Sequence, residues 1–75
     1  MNDTQKIEDA VLALLQLTLH DRNRAWKGFD WEVLERLHAK GLIENPKTSA
    51  KSVELTEMGL KKSQGLFEEL FVSKT

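Results

Sequence analysis

His20 and His38 are the chain's two imidazoles, the groups that could exchange a proton near neutral pH, and no spacing pairs them. His20 stands beside Asp21 at a helix end, where the local dipole favours an imidazolium without any catalytic duty. His38 falls beside Leu34 and Leu37, at the border of a core. No H-E-x-x-H, phosphate-cradling glycine loop or G-x-S-x-G occurs, and no carboxylate pair stands in a persuasive catalytic setting. Without cysteine, thiolate metal sites and disulfides are excluded. A chain of 75 residues also leaves little room for a ligand pocket of the usual ~300–1,000 Å³. The expectation is a protein that is not an enzyme, with no catalytic residue, metal ligand or cofactor.

The remaining chemistry is charge and aromatic surface. Eleven Lys and Arg stand against twelve Asp and Glu, a net charge of -1 that lacks the basic excess of an evident nucleic-acid binder. Charge nevertheless segregates along the chain. Residues 20–27 carry Arg22, Arg24 and Lys27 against Asp21, and residues 36–51 carry Arg36, Lys40, Lys47 and Lys51 against Glu44. Between them, Asp30, Glu32 and Glu35 make an acidic stretch. If the fold brings them together, Arg22, Arg24, Lys27, Lys47 and Lys51 can contact nucleic acid. The plainer reading is solvated charge on loops, and it is preferred. Trp26 and Trp31 could stack on bases or anchor a partner protein. Trp31 is expected in the core, while core and surface are equally open to Trp26. Arg24 or Lys27 could lie over an indole as a cation–π partner.

The elements that must position these groups follow from periodicity and caps. A first helix over about 5–20 has Asp3 or Thr4 as its cap and Ile7, Val11, Leu14 and Leu15 at helical spacing. Its apolar residues, Leu12 and Leu19 among them, cover all but a narrow polar strip containing Ala13 and Gln16. Such a helix either runs through the middle of the domain or serves as an interface between copies. Residues 21–29 lack a sustained period and read as a loop that can hold one irregular helical turn. Asp30 caps a second helix over about 31–40, with Phe29 and Leu34 set for a hydrophobic staple and Gly41 and Leu42 for a Schellman ending. Residues 42–56 read as a two-stranded hairpin around a polar turn, resting on the helices through Ile43, Val53 and Leu55. Thr56 caps a third helix over about 57–72, with Leu60, Ser63, Phe67, Leu70 and Phe71 on its inner face. The fold class is α+β and mainly helical: one domain spanning 1–75, with three helices and a hairpin between the second and third.

The run LERLHAKGLIENPKTSAKSVELTEMG, from Leu34 to Gly59, resembles the latter part of a winged-helix domain of the multiple-antibiotic-resistance repressor type. Leu37, Gly41, Leu42 and Ile43 match the helix ending, and Leu55, Thr56 and Gly59 match the return into the last helix. The resemblance implies a compact winged-helix-like fold, which serves both DNA binding and protein binding. Only about ten residues separate His20 from Trp31, so the supporting helix of a helix-turn-helix would be truncated. Asp30 would also bring a negative charge to the end entering a groove. A longer run, LTLHDRNRAWKGFDWEVLERLHAKGLI, resembles short bacterial proteins of uncharacterised function.

The favoured expectation is a protein-interaction or self-association module using Leu12, Leu19, Trp26 and Phe71, as a homodimer or with an unknown protein partner. The alternative is a nucleic-acid-binding or transcription-regulator-like module. The apolar stretch over 10–19 falls short of the ~20 residues that span a bilayer. The acidic residues ahead of it are unlike a basic leader, and a cytoplasmic location without membrane association is expected.

Overall fold

The computed structural model describes residues 3–72. The first helix, α1 (Thr4–Leu14), starts where the Asp3 carboxylate accepts from the Lys6 N–H at 3.1 Å. The expected helix to about residue 20 stops early: a 3-10 turn covers Leu15–Thr18, and Leu19 is extended. This departure has a tertiary cause. His20 must leave the helix to exchange backbone hydrogen bonds with Arg24, at 2.7 and 2.9 Å.

The loop expected over 21–29 contains a strand instead of a helical turn. Strand β1 (Arg24–Trp26) pairs antiparallel with β2 (Ser52–Glu54), in the register Arg24 with Glu54, Ala25 with Val53 and Trp26 with Ser52. Alternation then sends Ala25 and Val53 into the core and leaves Arg24, Trp26 and Glu54 on the opposite face. The hairpin between the second and third helices is present as an Ile43–Leu55 bridge, extended by the Glu44 N–H donating to the Glu54 carbonyl at 2.8 Å. Its return arm thus pairs with β1 as well.

Helix α2 (Trp31–Ala39) opens with Asp30 accepting from the Val33 N–H. It closes as its residues require: Gly41 adopts φ +75°, its N–H reaches the His38 carbonyl, and the Leu42 N–H reaches Leu37. Helix α3 (Glu57–Phe71) begins where the Thr56 hydroxyl accepts from the Gly59 N–H and donates to the Gly41 carbonyl. One side chain therefore ties the start of α3 to the end of α2.

Helix α1 packs against both α2 and α3, so the central placement is realised. The core unites Leu12 and Leu15 with Ala25, Val33, Leu34, Leu37, Leu42, Ile43, Val53 and Leu55. Phe29 packs against it from the start of α2. On α3 the buried row is Gly59 and Ser63, with Leu60, Leu66 and Phe67 half-buried, while Leu70 and Phe71 stand out in solvent. The part of α1 expected to face water is under α3: Ala13 is fully buried, Ser63 donates to the Leu12 carbonyl at 2.6 Å, and Gln16 donates to Ser63 at 3.0 Å. A Cβ on Gly59 would lie 1.7 Å from the Leu42 carbonyl oxygen, so this crossing demands glycine.

Candidate functional site

The five cations singled out for nucleic acid are largely engaged by the fold. Arg24 lies over β2, its Nε donating to Ser52 Oγ at 2.9 Å and its guanidinium 3.5 Å from Glu54. The Lys27 ammonium donates to the Pro46 carbonyl (2.7 Å), the Thr48 carbonyl (3.0 Å) and the Thr48 hydroxyl (3.2 Å). Pro46 is fully buried, so the turn over 45–51 is folded down and clasped. Lys47 pairs with Glu35 on α2 at 3.1 Å. Arg22 and Lys51 have no side-chain partner among the described residues. They fall toward opposite ends of the β1–β2 pair: the Asn23 carbonyl, next to Arg22, receives the Leu55 N–H, while the Lys51 carbonyl receives the Lys27 N–H.

The aromatic and apolar candidates divide differently from expectation. Leu12 is 0% exposed, and Leu19 is half-buried against the core; neither forms an open surface. Trp31 is 44% exposed, not in the core. At ~100° per residue it stands about 110° from the centre of the Val33, Leu34 and Leu37 face, so three aliphatic residues exhaust the inward side. His38 is likewise exposed and not at the core border, with Nδ1 3.0 Å from the Ile43 carbonyl. Trp26 is 52% exposed, and its ring centroid lies 4.6 Å from that of His20 rather than under Arg24 or Lys27. The Trp26 N–H donates to Thr18 Oγ1, and His20 Nδ1 is 2.7 Å from the Thr18 carbonyl, which requires the proton on Nδ1. The indole is thus an exposed aromatic on a braced backbone. Leu17, in the adjoining 3-10 turn, is 66% exposed. On α3, Phe71 is half-exposed against Phe67 at 5.7 Å.

Two features lay outside the sequence reading. The first is Glu8, 3% exposed on α1 and clamped by α2. It accepts from Lys40 Nζ and from Arg36 Nε at 2.7 Å, while Lys40 also donates to Gln5 Oε1. The Lys40 hydrogen bond holds the Glu8 carboxyl below the ordinary carboxylate range; burial opposes this, and Arg36 adds to it. Glu8 lies at i+1 from Ile7, inside a mostly apolar helix, and no local spacing announces partners 28 and 32 residues away. The second is a half-open cleft of about 560 Å³ between the turn after His20 and the start of α3, larger than a chain of this length leads one to expect. No group of three or more acidic or His side chains able to hold a metal occurs among the described residues. Nor is any helix there long and apolar enough to cross a membrane.

Together these features define a small, mainly helical α+β fold with one buried carboxylate clamped between α1 and α2, most of its candidate cations held by internal partners, and several large apolar side chains on its outer surface. The chain belongs to the family described as Domain of unknown function (DUF6429), whose model matches residues 3–73. It is 56% identical to "Uncharacterized protein y4hR" of Sinorhizobium fredii (strain NBRC 101917 / NGR234) over 69 residues, 92% of this chain and 93% of that protein. No solved structure matches.

Proposed function

We propose that this protein is a non-enzymatic protein-interaction or self-association module that docks a protein surface on Trp26 and its neighbours. The observation carrying this reading is a tryptophan 52% exposed yet braced by His20 and by its own backbone bond to Thr18. Exposed leucines scattered over a surface mean little. A braced indole is different, because a large rigid amphipathic ring loses little conformational freedom when a partner covers it. Leu17, and at another place Leu70 and Phe71, extend the apolar supply.

Sedimentation velocity at high micromolar concentration, alone and with captured partners from the source cell, tests this. Salt-tolerant association weakened at least tenfold by Trp26→Ser supports it, a change of ~1.4 kcal/mol. A strict monomer with no partner lost on Trp26→Ser refutes it.

A second reading, a winged-helix-like nucleic-acid binder, draws support from the Ile43–Leu55 bridge and from Lys51, exposed at the end of the polar turn. With Arg22 and Lys51 alone uncommitted among the five cations, duplex DNA binding should lose affinity with salt at a log–log slope of only about -2, using ~0.9 per phosphate neutralised. A slope near -4.5 would mean that Arg24, Lys27 and Lys47 abandon their internal partners for phosphate.

A further inference from the structure

The cleft between the turn and α3 combines three unpaired charges with an apolar wall. Asp21, Arg22 and Glu57 line it, all exposed, and none has a side-chain hydrogen bond or ion pair among the described residues. Leu60, half-buried against the core, supplies the apolar side. The floor is rigid: Asn23 Nδ2 donates to the Leu55 carbonyl at 3.0 Å and lies 3.2 Å from Glu54 Oε2, while the Asn23 carbonyl accepts from the Leu55 N–H at 2.7 Å. Glu54 is further occupied by Arg24, so the remaining carboxylates are those of Asp21 and Glu57.

The rim is unusual in its backbone. Asp21 and Arg22 have φ +46° and +76°, the left-handed region that glycine occupies freely and an arginine does not. A tight connection between residues 20 and 24 calls for this geometry; it does not call for a guanidinium at the second position. Arg22 stands there at a conformational cost with no partner within the fold to offset it.

From the joint presence of a cleft, a guanidinium, two carboxylates and a leucine wall, we infer that the cleft binds a free aliphatic α-amino acid. Arg22 takes the ligand carboxylate, Asp21 and Glu57 take its ammonium, and Leu60 meets its side chain. Ligand clefts of ~300–1,000 Å³ are the usual range, so the space suffices. A carboxylate without an ammonium pairs with Arg22 but is repelled by Asp21 and Glu57, and an ammonium without a carboxylate leaves Arg22 unpaired beside a like charge. The site is independent of the Trp26 surface, and its failure would leave that reading standing.

The test is an amide NMR titration of the full chain with L-leucine to about 20 mM, a range suited to millimolar affinity. Saturable shifts confined to residues around Asn23, Leu55, Glu57 and Leu60 are expected. N-acetylleucine, leucinamide and glycine should each bind at least ~5-fold more weakly, and Arg22→Gly and Glu57→Gln should each weaken leucine by a similar factor. Both substitutions lie on exposed positions, and the same spectra report whether the fold is retained. Absence of saturable shifts, leucinamide or N-acetylleucine binding as tightly as leucine, or unchanged affinity in both variants overturns the assignment.

Discussion

Replacing Arg36 and Lys40 together by methionine would strand the Glu8 carboxylate between α1 and α2. Leaving a buried charge without its partners costs about 3–5 kcal/mol. The side chains of Arg36 and Lys40 are 36% and 43% exposed, so water already shares in the cluster and the lower end, about 3 kcal/mol, is expected. Against the ~4–11 kcal/mol typical of a chain this long, that loss is large. Adding Glu8→Met to the double variant should then restore about 2 kcal/mol, because apolar packing in place of a buried ion cluster is neutral to stabilising. A third mutation that repairs two others is the signature of a stranded charge. Urea unfolding followed by circular dichroism measures all three chains, provided the denaturant slope stays constant. A triple variant no more stable than the double refutes the reasoning. The same cluster sets a pH dependence. Glu8 has a folded-state pKa below its ordinary 4.5, so its contribution is complete above that value and disappears as pH falls through the lower, folded one. The wild-type urea midpoint should drop below about pH 4.5 more steeply than that of the triple variant.

Gly59→Ala should destabilise by about 3 kcal/mol or more, because the added methyl meets the Leu42 carbonyl and α3 must move off α2's end; loss of the cooperative thermal transition near ambient temperature is the readout. Arg22→Gly should stabilise by about 1 kcal/mol by relieving the positive φ, raising Tm by roughly 4–8 °C. Lys27→Met removes the donor shared by Pro46 and Thr48, and hydrogen exchange should quicken locally at the Lys27 amide and in the 45–51 turn while global stability falls by only about 1 kcal/mol.

Local chemistry made the caps legible. Asp3, Asp30 and Thr56 each bond an N–H three residues on, and Gly41 followed by Leu42 dictates the α2 ending whatever surrounds it. The end of α1 was illegible because Leu15, Leu17 and Leu19 continue, without a breaker or cap, the apolar run that covers most of the helix, whereas the backbone answers to Arg24. Strand β1 is three residues with no alternating run to advertise it, and it exists through pairing with residues about 28 positions away. On a helix apolar nearly all round, composition does not say which side is covered: Leu12 went inward and Leu17 outward because α2 and α3 arrive on particular sides.

The candidate sites were less legible than the fold for the same physical reason. A cation's role depends on which acceptors the chain brings within ~3 Å of it, and for Lys27 these are backbone carbonyls, which every residue carries and which no motif marks. A lysine with three acceptors around its ammonium is poorly placed to meet phosphate, since each phosphate contact must replace a bond already made. Charge runs therefore overstate a binding surface wherever a fold is too small to satisfy its turns with its own backbone. Arg22 is the informative exception. It is basic, exposed and unpaired, and it occupies a backbone geometry that glycine would fill more cheaply, so its side chain rather than its conformation is the reason to look for a ligand beside it.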